Sequence, residues 1–248
     1  MKKSIIFLYG IIAYLLFLVT ILYAVGFAGS FIVPKTINSG AETGLAKALL
    51  VDVLLLSLFA LQHSVMARPA FKKWWTGIIG PAIERSTYVI LSSLVLLFVY
   101  WQWLPVTTVV WKVESPALTA MLNGIYFFGW LVAILSTFMI NHFELVGLKQ
   151  VFEYFQNRYM VTEVGALKTN FFYTIVRHPI MLGFLIAFWS TPLMTAGHLI
   201  FSITTTLYIL VAVKFLEERD LRILHGREYE DYQKKVPMII PFTASGKK

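Results

Sequence analysis

Apolar residues run along this chain in long blocks separated by short polar clusters, and the block lengths predict membrane-crossing helices. Crossing hydrocarbon takes about 20 apolar residues in a helix. The first block, residues 5–28, follows Lys2 and Lys3. Ala24, Gly26 and Ala28 would suit a signal-peptide cleavage site. The block is longer than the roughly 7–15 residues of a signal core, so a retained helix is expected. Residues 29–45, with Pro34, Asn38, Gly40 and Gly44, read as a loop. Further crossings are predicted at 46–65, 86–103 and 122–140. Between the second and third, Arg68, Lys72, Lys73, Trp74 and Trp75 have the mixed composition of an interfacial segment. Pro105 and Pro116 mark a short loop, and residues 145–172 read as a short amphipathic helix leading into a loop. The last block, 180–216, is too long for one helix in an ordinary bilayer. Pro192 and Gly197 predict a break that makes it a hairpin of two short helices.

Composition agrees. The chain is 58% hydrophobic and 14% charged, where soluble domains carry about 25% charged residues, and its mean hydropathy is +0.73. The expected fold is all-α, a polytopic membrane helix bundle of about six transmembrane helices, or five if the last hairpin is re-entrant. It forms one membrane domain over 1–248, with 1–104 as its N-terminal helices. Charge orients it. With six crossings and the N-terminus inside, 18 of the 21 basic residues fall inside, and only Lys35, Lys47 and Lys112 fall outside. That asymmetry puts both termini in the cytoplasm. It also accounts for the net charge of +8 without nucleic acid, for which no basic helix or aromatic-interleaved motif appears.

The same topology gathers ionisable groups on one face. His63, Glu84, Arg85, His142, Glu144, Arg177, His178, Glu217 and Glu218 all fall at inner ends of predicted crossings. Snorkelling to headgroups explains Lys and Arg well but His and Glu poorly. A site on the cytoplasmic face is the economical reading. Metal is not expected: there are no cysteines, no HExxH, and no two histidines at helical ligand spacing. Ser64 lacks a nucleophile elbow, and a transporter would put its polar groups at mid-membrane. A zwitterionic or cationic ligand suits the set. Glu217 or Glu218 would accept from an ammonium, Arg177 or His178 would pair with a carboxylate or with protein acids, and Tyr173 would stack or face a cation. S-adenosylmethionine fits this description, although composition does not single it out.

Motif order narrows the choice. Tyr173, Arg177-His178-Pro179 and Gly183 precede the apolar hairpin. Glu217-Glu218, Leu221, Gly226, Tyr229, Tyr232, Pro237 and Pro241 follow it. This set resembles the isoprenylcysteine carboxyl methyltransferase type of membrane methyltransferase, and makes 121–241 the expected methyltransferase core. The stretches 62–69, 84–88 and 140–145 are similar to the bacterial methanethiol S-methyltransferases of the nurim family, a likeness that runs nearly the full length. The resemblance implies methyl transfer from S-adenosylmethionine to methanethiol, releasing dimethyl sulfide and S-adenosylhomocysteine, in a bacterial inner membrane. It implies cofactor contacts at Tyr173, His178, Pro179, Ile180, Met181 and Glu217, and the charges of Arg177 and Glu218 make them cofactor-binding candidates beside these. Two departures stand out. The family's substrate-orienting arginine, four residues before the first glutamate, is Val213 here, with Lys214 beside it. The aromatic expected after the proline is replaced by Ile180 and Met181. A tiny thiol has no carboxylate to orient.

Within that reading His63 and His142 are the candidate bases, with Arg85 and Glu144 as further catalytic candidates. Arg85 would pair with Glu84 or Glu144. His178 is expected to be structural or cofactor-binding, and Tyr229 and Tyr232 to pack the tail helix onto the bundle. Membrane lipid is the expected surroundings, and no obligate protein partner is expected. The alternatives are another small thiol, a lipid-borne acceptor, or a non-enzymatic nurim-like role.

Overall fold

The computed structural model describes residues 2–158 and 167–243. Five helices among them are long and apolar enough to cross a membrane, together with a shorter apolar helix. The chain is an integral, multi-pass membrane protein. It divides into two compact units, each assembled from separate stretches of sequence.

The first unit comprises residues 1–110, 142–162 and 195–201. It contains α1 (Lys2–Gly29), α2 (Leu45–Ala67), α3 (Pro69–Ile79) and α4 (Pro81–Gln102). Two short helices follow later in the chain, α6 (His142–Leu145) and α7 (Leu148–Phe155). α1 packs on α4 and α7, and α2 packs on α4. Pro69 and Pro81 open α3 and α4, where a missing N–H costs nothing. α3 buries none of its residues, as an interfacial helix should. The loop expected beyond α7 runs into residues 159–166, which lie outside the described residues.

The second unit comprises residues 111–141, 163–194 and 202–248. α5 (Pro116–Ile140) and α9 (Pro179–Trp189) form its main pair, preceded at α9 by the short α8 (Phe172–Ile175). Small residues allow the close approach. A Cβ on Gly183 would stand 2.6 Å from both the Gly129 carbonyl oxygen and the Ala133 nitrogen. This is small-xxx-small packing, Gly129 with Ala133 against Gly183 with Ala187.

The expected break in the last apolar block falls at residues 190–195, around Pro192. A two-stranded sheet of β1 (Val109–Lys112) and β2 (Leu193–Thr195) was not foreseen. Gly197 does not break the helix. It lies in the first turn of α10 (Ala196–Ala212), where its N–H donates to the Val106 carbonyl at 2.9 Å and an added Cβ would crowd Val106 at 3.0 Å. Nor is the second helix short. α10 continues through a π-helical turn, Val213–Glu217, into α11 (Glu218–His225), a continuous helix of 30 residues that is apolar as far as Val213. Gly226 then reverses the chain at φ +56°, a conformation that suits glycine, into α12 (Arg227–Lys235).

Candidate active site

Within the second unit the tail folds back on the Arg177-His178-Pro179 turn. Pro179 starts α9, which leaves the two preceding N–H groups outside the helix. The tail satisfies both: Arg177 N–H donates to the Pro237 carbonyl at 2.9 Å and His178 N–H to the Met238 carbonyl at 3.1 Å. Ile239 is buried against Ile209 and Val213, with Met181 and Met238 packed around them.

Glu218 is the centre of this arrangement. Its side chain is nearly inaccessible, and Arg177 holds it with two bonds, Nε to Oε1 at 2.8 Å and Nη2 to Oε2 at 2.9 Å. Tyr229 donates its hydroxyl to Oε1 at 2.9 Å, His178 Nε2 lies 2.7 Å from Oε1, and Gln233 donates to Oε2. Arg177 also reaches the Gln233 and Val236 carbonyls. A carboxylate with so many donors is saturated.

Glu217 differs. Its side chain is 45% exposed, and its carboxylate lies 3.5 Å from His178 Nδ1. The π turn separates the two glutamates. Ile209 and Val213 are buried one helical turn apart, so an uninterrupted α-helix would continue that stripe at residue 217. Here the Glu218 N–H bonds back to the Val213 carbonyl, five residues earlier. The inward place therefore passes to Glu218.

Charge follows from the geometry. Burial alone would lower the His178 pKa, but the carboxylates of Glu217 and Glu218 overcome it and raise it to about 9. His178 is an imidazolium at neutral pH. Burial, then the Glu218 carboxylate, drives the Tyr229 phenol well above its usual range, and Tyr173 is raised by burial and then by Glu217. Tyr173 is itself buried, its hydroxyl directed to the Ser136 carbonyl at 3.4 Å and its carbonyl accepting from Tyr232. Tyr229 and Tyr232 pack edge to face with centroids 5.9 Å apart, holding the tail helix as expected.

The other candidates fall in the first unit. His63 lies 2.9 Å from the Tyr88 hydroxyl, and the Arg85 guanidinium covers the Tyr88 ring at 5.1 Å. The ion pair anticipated between Arg85 and Glu144 does not form. Arg85 Nε donates to the Leu145 carbonyl at 2.6 Å, while Glu144 pairs with Lys149 at 2.9 Å. His142 is buried, with Nε2 3.2 Å from the Tyr14 hydroxyl, and burial lowers its pKa. Gln233, Tyr14 and Tyr88 were not singled out in the sequence. Gln233 beside the Gly226-x-x-Tyr229-x-x-Tyr232 spacing was the available signal for the first.

Comparison with known proteins places the chain in a family. The NnrU protein family matches residues 51–244. The chain belongs to that family. It is similar to methanethiol S-methyltransferase 2 of Bradyrhizobium diazoefficiens, 53% identical over 95% of this chain and 90% of that protein. It is 49% identical to methanethiol S-methyltransferase of Mycobacterium tuberculosis over 98% of each. Nurim of Mus musculus is 29% identical over 71% of this chain and 69% of its own length. No solved structure matches.

Proposed function

We propose that this NnrU-family protein methylates methanethiol to dimethyl sulfide, using S-adenosylmethionine at the cytoplasmic side of a bacterial inner membrane. The observation that carries the reading is identity near one half, over nearly the full chain, to relatives named methanethiol S-methyltransferase.

The chain's own residues fit such a donor. Glu217 offers a half-exposed carboxylate for an ammonium beside the cationic His178, while Glu218 is occupied in holding the wall together. Ile180 and Met181 follow in the first turn of α9, half-buried and apolar, and Tyr173, Arg177 and Pro179 complete the binding segment. Bound there, S-adenosylmethionine supplies an electrophilic methyl group. The protein's work is to align the thiol sulfur, exclude water and remove the thiol proton.

His178 carries its proton already and is not the base. His142, whose burial favours the neutral imidazole, is the preferred base, and His63, bonded to Tyr88, is the second candidate. Arg85 and Glu144 serve as positioning residues, Arg85 over the ring that holds His63 and Glu144 next to His142.

Isothermal titration of the detergent-purified protein with S-adenosylhomocysteine tests the reading. Wild type binds and Glu217→Ala does not, and headspace dimethyl sulfide from methanethiol identifies the acceptor. Folded wild-type protein that fails to bind would overturn the methyltransferase reading in favour of a non-enzymatic nurim-like role.

A further inference from the structure

The span that ends in the Glu217-Glu218 pair carries, on another face, chemistry that methyl transfer does not use. Lys214, Glu218 and Arg222 recur every four residues through the π turn and α11. Together with Arg177, Phe215 and Met238 they line a cleft of about 460 Å³, within the ~300–1,000 Å³ of small-molecule sites. The cleft shares the Arg177–Glu218 pair with the wall behind the proposed cofactor segment, but Glu217, the carboxylate assigned to the cofactor, is not in its lining.

Its charge is unbalanced. Glu218 is the acid in the lining, and its oxygens are closed by Arg177, His178, Tyr229 and Gln233. Lys214 and Arg222 have no carboxylate partner among the described residues, and Lys214 Nζ lies 5.5 Å from the centre of the Phe215 ring. Two cations therefore face one cleft without a carboxylate paired to either.

Its depth is set by the sequence. Residues 180–213 contain no Asp, Glu, Lys or Arg, and Lys214 is the first charge after them. A cation ending an apolar run of that length sits at headgroup level. Around it Phe215 is 59% exposed, Leu224 53% and Ile223 75%, an apolar surface suited to acyl chains beside a cationic one suited to phosphate.

We propose that this cleft binds a phosphate anion, supplied in the membrane by the headgroup of an acidic phospholipid, with Lys214 and Arg222 as its ligands. The proposal does not depend on the methyl-transfer reading, and its test reads lipid rather than turnover.

Full-length protein is reconstituted in nanodiscs of mixed phosphatidylcholine and phosphatidylglycerol, and the lipid it retains is measured by native mass spectrometry. Wild type should retain phosphatidylglycerol preferentially. Lys214→Gln with Arg222→Gln should weaken that preference by roughly thirtyfold, from about one unit of juxtamembrane attraction per cation. Lys214→Arg with Arg222→Lys should keep it, which separates lost charge from a disturbed fold. Equal retention of both lipids by wild type would overturn the site. Retention of soluble glycerol phosphate in pure phosphatidylcholine discs, equal to that of phosphatidylglycerol, would overturn the lipid as the source. Displacement of bound phosphatidylglycerol by S-adenosylhomocysteine would assign the cleft to the cofactor and overturn the proposal as well.

Discussion

At the residue scale, two adjacent glutamates sit in opposite surroundings. Glu218 is buried among five donor groups, and removing one partner of a buried pair strands the other charge. Glu218→Gln should cost about 3–5 kcal/mol and release the tail from the Arg177 turn. Glu217→Gln, at a half-exposed carboxylate, should cost under ~1 kcal/mol yet abolish cofactor binding. Chemical unfolding in detergent beside titration with S-adenosylhomocysteine separates the two, and equal destabilisation by both variants would refute the assignment. His178 adds a pH dependence. Its folded pKa of about 9 lies above the ~6.5 of an unfolded histidine. Protonated His178 between Glu217 and Glu218, with Arg177 alongside, therefore contributes its full stabilisation below about pH 6.5 and loses it as pH rises through about 9. The unfolding midpoint of wild type should fall across that window, and that of His178→Gln should not. The sequence made this neighbourhood legible as a cluster, because ionisable residues at the ends of apolar blocks are conspicuous. It could not say which glutamate turns inward, since one π-helical turn reverses the answer and leaves no mark in residue type.

At the element scale, the helices of the second unit are fitted by what they lack. The resemblance includes Gly183 in its motif, and the structure supplies a physical reason: α5 and α9 approach until backbone touches backbone. Gly183→Ala would place a methyl 2.6 Å from the Gly129 carbonyl oxygen, and neither backbone can yield unless the helices part. A loss of about 1–3 kcal/mol is expected from such overpacking, read as a lower thermal midpoint. Gly124→Ala is the control, on the partner helix α5 with nothing within 4 Å of the added carbon. Its midpoint should hold or rise, because alanine is the better helix former. A drop of similar size in both would show that helix propensity, not the close approach, governs the glycines. The long helices were readable from block length alone, with ends displaced by a few residues. Gly197 was misread because a glycine demanded by crowding at Val106 looks, in sequence, the same as one that breaks a helix. The short β1–β2 ribbon carried no alternation long enough to announce a strand.

At the scale of the whole molecule, the number of crossings turns on α9. α9 has 11 residues and is about 16 Å long, too short for a hydrocarbon layer of about 30 Å. Residues 190–194 follow it outside any helix, with a bend at 192 and strand only from 193; fully extended they would add at most about 17 Å, which would bring the total to the layer's thickness. Non-helical backbone at that depth is tolerable only if its polar groups are satisfied. They have partners here: Val113 N–H donates to the Pro192 carbonyl at 2.8 Å, and Trp111 Nε1 to the Thr191 carbonyl at 3.2 Å. A crossing made by α9 with this paired segment would be a sixth, alongside the five helices long enough to cross on their own. An even count returns the C-terminus to the side of the N-terminus, which is the arrangement that places 18 of 21 basic residues inside. The chain has no cysteines, so single substitutions report without background. Ser4→Cys and Thr243→Cys should react with a membrane-impermeant maleimide from the cytoplasmic side, and Val110→Cys from the opposite side. Labelling of Ser4→Cys and Thr243→Cys from opposite sides would mean that the α9 segment enters and leaves by the same face, and that the chain crosses five times.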